Sequence, residues 1–242
     1  MSTLETKKIE PLSGTTVTLG ASGDAVTMPA GVTVKTNTVK DAGGNTLWTS
    51  NGSGTLSSVN AGLQANTVFI SSQTASSSSS ISFTSGIDST YDEYVFYFVN
   101  MNPASNAVTF RFQGNASGQS GFNEQMTTTV FTASQYENGS SGQVVYSAGA
   151  DQANDTNYQR LSDNVGNEAD ESVSGEFHLY APSSTVYATH FSSVSNTNAD
   201  AEYTGQIFMS GYFNVTAAIT QIDFKFSSGN IDEGTVYLYG IR

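Results

Sequence analysis

The strongest candidate for ion chemistry in this sequence is a short acidic loop, residues 163–171, which reads DNVGNEADE. Its hard oxygen ligands, of the kind that calcium takes, come from Asp163, Asn167, Glu168, Asp170 and Glu171. Their spacing departs from the Asp-x-Asp-x-Asp-Gly pattern of the common calcium-binding loop. The loop is therefore either a weak calcium site or, as we favour, a solvated acidic turn. No other cofactor is expected.

Residues that could carry catalysis are sparse. The chain has two histidines, His178 and His190, and alternation places His178 on the polar face of a strand. Serine catalysis needs a base held against the nucleophile and a carboxylate that orients it, and no Gly-x-Ser-x-Gly turn is present. Glycoside hydrolysis needs two carboxylates across a groove, whereas the acidic residues here fall mostly in predicted loops. We therefore expect that the protein is not an enzyme.

The composition excludes several classes of partner. Charged residues make up 12% of the chain, about half the usual ~25%, and the net charge is −13 with eight Lys plus Arg. Such an acidic chain offers no basic patch for nucleic-acid phosphates. No run approaches the ~18 apolar residues of a membrane span. Cysteine is absent, which excludes disulfides and thiolate metal sites.

Period-two alternation predicts an all-β fold. Ile222, Phe224 and Phe226 alternate with Asp223 and Lys225, which is typical of a half-buried strand. Many short strands with turn-rich connections favour an antiparallel, jelly-roll-like β-sandwich. Ten strands are predicted, at residues 81–84, 93–100, 108–113, 125–132, 142–148, 175–181, 185–193, 205–213, 220–227 and 235–241. The side chains expected in the core are Tyr94, Phe96, Phe98, Phe110, Phe112, Phe177, Leu179, Phe224 and Leu238.

Three segments make up the predicted domain organisation. Residues 1–65 hold short Val/Thr strand seeds, at 17–19, 26–28 and 32–34, which are too small to bury a core alone. They are expected to form a strand-rich stalk or attachment segment that contacts other chains. Residues 66–80 form a Ser-rich joint, with a possible strand at 67–71. Residues 81–242 form the sandwich head, in which 94–99, YVFYFV, is apolar on both faces and should be central and covered on both.

The closing segment resembles the terminal β-sandwich module of tailed-phage virion proteins, especially those of marine phages. These modules commonly end on a run of the form A-I-T-x-I, S-G-N, G and L-Y-G-I. The matching positions are residues 218–222, 228–230, 234 and 238–241. Further similarity lies in residues 8–31, 91–97 and 120–123.

The resemblance implies a non-enzymatic virion structural protein, made in the host cytoplasm without a signal peptide. A short tail fibre or appendage is preferred, with an N-terminal anchor on other virion proteins. It is expected to be a homotrimer whose outward head binds a host glycan or protein. The alternative is a capsid decoration, or cement, protein. A secreted bacterial lectin or adhesin is disfavoured because no signal peptide precedes the first strands.

Three segments rich in small polar residues and tyrosine are expected to form the binding surface of the head. They are residues 135–141, 151–163 and 195–203. Ser, Asn, Gly and Tyr adapt to carbohydrate or protein surfaces in the binding loops of other proteins. We therefore expect these segments to be loops of the sandwich, far from the stalk, through which any binding takes place.

Overall fold

The structure is a computed structural model that describes residues 30, 35–54, 56–60 and 66–242. The chain divides into two compact units, Met1–Gln64 and Ala65–Arg242. In the first unit, β1 (Thr38–Lys40), β2 (Thr46–Ser50) and β3 (Leu56–Val59) form an antiparallel sheet in the order β1-β2-β3. The strand seeds predicted at 17–19, 26–28 and 32–34 lie outside the described residues.

The second unit contains thirteen strands and one short 3₁₀ turn, Ala148–Ala150. The strands are β4 (Thr67–Thr74), β5 (Ile81–Phe83), β6 (Glu93–Pro103), β7 (Phe110–Ala116), β8 (Met126–Tyr136), β9 (Gly142–Tyr146), β10 (Ala153–Asp155), β11 (Gln159–Arg160), β12 (Val173–Tyr180), β13 (His190–Ala199), β14 (Tyr203–Phe213), β15 (Ile219–Phe226) and β16 (Ile231–Ile241). Each of the ten strands predicted from alternation overlaps one of these.

Two antiparallel sheets of unequal width form the sandwich. The large sheet has nine strands in the order β10-β8-β14-β13-β12-β6-β16-β4, and β9 pairs with the free side of β8 next to β10. The small sheet has four strands in the order β11-β7-β15-β5. The prediction of an all-β, antiparallel fold is confirmed. Among the described residues, no helix is long and apolar enough to cross a membrane.

Aromatic side chains fill the space between the two sheets. Phe224 of the small sheet lies with its ring centroid 5.4 Å from Phe96, 5.8 Å from Phe110 and 6.2 Å from Phe177. Phe112 lies 4.3 Å from Phe177 on the large sheet. All nine side chains predicted to lie in the core are buried, which confirms that part of the sequence analysis. Alternation identified them because each strand of the sandwich turns one face toward the partner sheet.

Residues 66–80, expected to be a joint, belong to the sandwich unit. β4 pairs with β16 along most of its length, and Thr74 Oγ1 lies 2.9 Å from Thr235 Oγ1. The serines that follow are also tied to the start of β16, because the Ser78 amide donates to Ile231 O at 2.8 Å. The segment therefore forms the edge of the large sheet and its return, where the sequence analysis expected a link.

Strand β6 is central, as predicted, but its outer face is covered only in part. It lies between β12 and β16, and Tyr94, Phe96 and Phe98 point into the core. On the opposite face, Tyr97 is 37% exposed and Val99 is 42% exposed. Val95, on the same outer face, is buried, at 1% exposed. The expectation that both faces would be covered therefore holds at Val95 and fails at Tyr97 and Val99, over which the second unit places no further layer.

Replacing Phe224 with alanine should lower the free energy of unfolding by about 3–5 kcal/mol, because the side chain is fully buried among rings of both sheets. Phe69→Ala is the matched control, since Phe69 is 56% exposed on β4. It should cost about 1 kcal/mol or less. Urea denaturation of both variants measures the difference, and equal losses would contradict the assignment of Phe224 to the centre of the core.

Candidate functional site

The β8–β9 turn and the β13–β14 turn lie side by side at one end of the large sheet. β14 pairs with β8 in a register that places Tyr203 opposite Tyr136. Just beyond this pair, the Glu137 amide donates to the Glu202 carbonyl at 3.0 Å. Two of the three segments predicted to bind, 135–141 and 195–203, therefore meet.

The segment 195–203 is not a loop, however. Residues up to Ala199 belong to β13, which pairs with β12 on one side and β14 on the other. Thr197 and Ala199 are buried in this strand. Only the tight turn between Ala199 and Tyr203 lies outside the ladder. The Asn and Thr content of this segment predicted a loop, but backbone pairing with a neighbour on each side holds these residues in a strand.

A groove of about 500 Å³ lies between the two turns. Its walls include Gln135, Tyr136, Glu137, Asn196, Asn198 and Thr204. Most of these side chains are amides or hydroxyls, which can both donate and accept hydrogen bonds. The Asn196 amide donates to Thr204 Oγ1 at 2.8 Å, which fixes part of the wall. The groove is therefore suited to an uncharged, hydroxyl-rich ligand.

The third predicted binding segment, 151–163, approaches these turns at its C-terminal end, where Asp163 lies beside Tyr203 and the Leu161 carbonyl accepts a hydrogen bond from the Ser195 hydroxyl. The Asp163 carboxylate accepts a hydrogen bond from the Arg160 guanidinium. Burial raises the pKa of the Tyr203 hydroxyl, and the charge of Asp163 and its hydrogen bond raise it further. The Tyr203 ring lies 5.2 Å from that of Tyr136 in the groove wall. These contacts make a fixed polar support behind the groove.

The residues predicted as calcium ligands make contacts that point in different directions. They are Asp163, Asn167, Glu168, Asp170 and Glu171. Asp163 is paired with Arg160. The Glu171 carboxylate instead turns back on its own loop, where it accepts from the Glu168 amide at 2.7 Å. Gly166 lies directly beneath this carboxylate, and a Cβ built there would be 1.9 Å from Glu171 Oε2. The loop is thus closed by its own hydrogen bonds.

Two of these residues line an acidic hollow of about 400 Å³. Asp170 and Glu171 face Asp232 and Glu233 across it. The Asn102 amide donates to the Glu171 carbonyl at 2.6 Å and ties the loop to β6. Among the described residues, no three His, Asp or Glu side chains are grouped closely enough to hold a metal ion. The structure therefore does not assemble the predicted ligands into one coordination site.

The two histidines lie on the outer face of the large sheet. His178 Nδ1 is 2.6 Å from Glu93 Oε1, and His178 Nε2 is 3.6 Å from Glu176 Oε1. His190 packs its ring edge-on against Tyr212, with 6.0 Å between the centroids. His178 is hydrogen-bonded on the polar face of its strand, as the sequence analysis expected.

A row of three cations crosses the outer face of the small sheet. Lys225 of β15 and Arg160 of β11 both lie opposite Arg111 of β7. They are three of the four Lys or Arg residues in the second unit, the other being Arg242. Like charges directly opposite on a sheet destabilise it. Burial and the nearby charge of Arg160 lower the pKa of Arg111.

Polar neighbours partly offset this row. Lys225 Nζ lies 3.8 Å from the centroid of the Tyr158 ring, and the Tyr158 hydroxyl donates to Asp223 at 2.8 Å. The hollow beside the row holds about 390 Å³ and has Asp151 and Asp155 in its wall. The result is a mixed-charge polar surface. The sequence analysis missed it because the row depends on cross-strand register between residues that are far apart in sequence, 49 positions for Arg111 and Arg160 and 114 for Arg111 and Lys225.

An outer row of large side chains crosses the solvent face of the large sheet. Adjacent positions in consecutive strands are Tyr237, Tyr97, Glu176, Val194, Phe208, Phe131 and Tyr146. The Phe131 and Phe208 rings stack at 4.6 Å, with 8° between their planes. Tyr97, Phe131 and Tyr146 of this row are exposed, whereas Val194 and Phe208 are half-buried and Glu176 interrupts the row. Exposed aromatic side chains grouped in this way are candidates for contact with other molecules.

Comparison with protein-family models, with curated proteins and with solved structures finds no match for this chain. The functional argument therefore rests on its own residues and geometry.

The structure predicts late ionisation for two tyrosines, Tyr158 and Tyr203. Burial raises the pKa of each above the ordinary value near 10, and a neighbouring carboxylate raises it further. Because the folded pKa is the higher one, the stabilisation is complete below pH ~10 and is lost as pH rises through the folded value. Titration of the tyrosinate absorbance at alkaline pH measures the ionisation of these tyrosines. Tyr203→Phe should leave the folded protein's titration unchanged up to pH ~11, yet remove one of twelve tyrosines from the titration in urea.

Proposed function

We propose that the protein is a non-enzymatic structural component of a tailed-phage virion. In this proposal it is a short tail fibre or appendage, assembled as a homotrimer in the host cytoplasm and carried on the particle. The first unit anchors it to other virion proteins. The sandwich faces outward and contacts a glycan or protein of the host surface.

The resemblance to virion β-sandwich modules supports the structural part of the proposal. The residues that carry it, 218–222, 228–230 and 238–241, fall on β15, β16 and the turn between them. β15 is flanked by β7 and β5, and β16 by β6 and β4. The similar residues therefore belong to an inner strand of each sheet and to the turn that joins these two strands, where they help to determine the fold.

The part of the proposal that concerns binding to the host surface rests on the groove between the β8–β9 and β13–β14 turns. Its amide and hydroxyl side chains suit the hydroxyl groups of a saccharide. A single shallow polar groove gives weak binding. Three linked copies would raise the overall avidity by ~10²–10⁴ without new contacts, which suits a trimeric fibre.

Immunogold electron microscopy tests the place of the protein in the particle. Antibodies raised against residues 65–242 should label the tail region of virions produced by the phage that encodes the chain. Label spread over the shell would instead identify the alternative, a capsid decoration protein. Virions without label, with the protein left free in the lysate, would contradict both.

Thr204→Lys should reduce binding of the intact protein to host cells at least about tenfold, because a long cation would fill the groove wall beside Asn196. Ser120→Lys adds the same charge in the exposed turn after β7 and should leave binding unchanged. Flow cytometry with labelled protein measures both. Equal binding of the two variants would exclude the groove. Release of reducing sugar from the host polysaccharide would overturn the non-enzymatic assignment.

A further inference from the structure

We propose that strand β9 and the adjoining part of β8 form the contact between copies of this chain. The surface, here named the β9 margin, consists of Val144, Val145, Tyr146 and Phe131. This inference rests on the self-association in the proposed function and identifies the surface that mediates it. The immunogold experiment above tests the place in the virion by itself, so the two can fail separately.

The β9 margin is exposed to an unusual degree for apolar residues in a strand. Val144 is 74% exposed, Val145 is 40% exposed and Tyr146 is 63% exposed. Among the strands of the second unit, β9 pairs only with β8, so within that unit its other backbone edge is open. An edge strand of this kind is a template for pairing or packing with another chain unless charges or proline protect it. Residues 138–150 contain neither.

The apolar side chains of β9 project from both faces of the sheet. Tyr146 lies opposite Phe131, and Val144 lies opposite Ala133, which places both on the outer face. Val145 lies opposite Thr132 on the inner face. The small sheet does not cover this inner side, because no residue of β9 belongs to the buried core. A partner must therefore meet the β9 margin edge-on, since one flat surface would leave one of the two faces exposed.

The charge distribution favours a second copy as this partner. The chain carries a net charge of −13, so two copies repel each other over most of their surfaces. Strands β13, β14, β8 and β9, however, contain no Asp, Glu, Lys or Arg. The nearest carboxylate, Asp151, is occupied by hydrogen bonds from the Tyr146 hydroxyl and the Val130 amide. These four strands are where two acidic copies can approach with the fewest opposing charges; the carboxylates at their margin include Asp151 and Asp155, the latter on β10, which also pairs with β8.

The aromatic pair next to β9 extends the contact surface inward. Phe131 is 46% exposed and stacks on Phe208 of β14. Together with Tyr146 and Val144 it makes a continuous apolar surface that reaches from the open edge onto the outer face. Contacts between subunits concentrate their binding energy in such clustered aromatic and aliphatic side chains.

Sedimentation velocity of the full chain over a dilution series tests the inference. Val144→Lys should raise the dissociation constant of self-association at least about tenfold, since it places a charge in the apolar contact. Val186→Lys is the matched control, because Val186 is equally exposed, at 71%, in the connection before β13. That control should associate as the wild type does. Val144 buries little in the monomer, so both variants should keep the wild-type far-ultraviolet circular dichroism and melting temperature.

A second measurement keeps the test independent of the added charge. The chain has no cysteine, so Val144→Cys introduces a single thiol. Its reaction with a maleimide–polyethylene glycol reagent should slow as protein concentration rises, while the thiol of Val186→Cys reacts at an unchanged rate. A wild type that sediments as a monomer throughout would overturn the proposal. Two lysine variants that associate alike, with no protection of the thiol at position 144, would overturn it as well and direct attention to another partner.

Discussion

The sandwich depends on a layer of phenylalanine rings held between two sheets. Phe224 contacts rings from β5, β6, β7 and β12, so one side chain joins both sheets. Phe112 makes the corresponding contacts one step along the sheet, with Phe177, Phe191 and Phe213. Aromatic pairs in offset and edge-to-face arrangements stabilise a core beyond their buried area. The stability of such a core comes from the packing of apolar rings and does not require ion pairs, so a chain with few charged residues can form it.

The unequal width of the two sheets determines which surfaces remain available for binding. The small sheet covers the inner face at the centre of the large sheet and leaves β9 uncovered at its margin. The outer row lies on the opposite face, which points away from the small sheet. The same arrangement frees the ends of β8, β13 and β14 to form the polar groove. In the two proposals made above, assembly and binding use different parts of one sheet: the apolar β9 margin for copies of the chain, and the groove lined with amides for a polar ligand.

Local pattern in the sequence was sufficient for the core but not for the long-range pairing. Phe110 and Phe112 in one strand, and Phe224 in another, alternate with polar neighbours, and in each strand a window of seven residues is enough to show the pattern. The serine-rich segment was read as a joint because its partner strand, β16, is about 160 residues away. The two turns of the groove were identified by composition, but their adjacency depends on the register of β14 with β8. The predicted calcium ligands shared a loop, yet the backbone directs their carboxylates to different neighbours.

The position of β16 has a consequence for how the protein is made. It is the last strand in chain order, yet it lies inside the large sheet, between β6 and β4. During translation, β4 and β6 are complete long before β16 leaves the ribosome. Until then β4 has no neighbour, and β6 lacks one of its two. The nascent sandwich must therefore remain incompletely paired until residue 241 has been synthesised. Pairing between strands far apart in sequence can stabilise the chain only after both strands exist. A ribosome that stops early releases a sheet with a missing inner strand, whose open edges would recruit other unfinished chains.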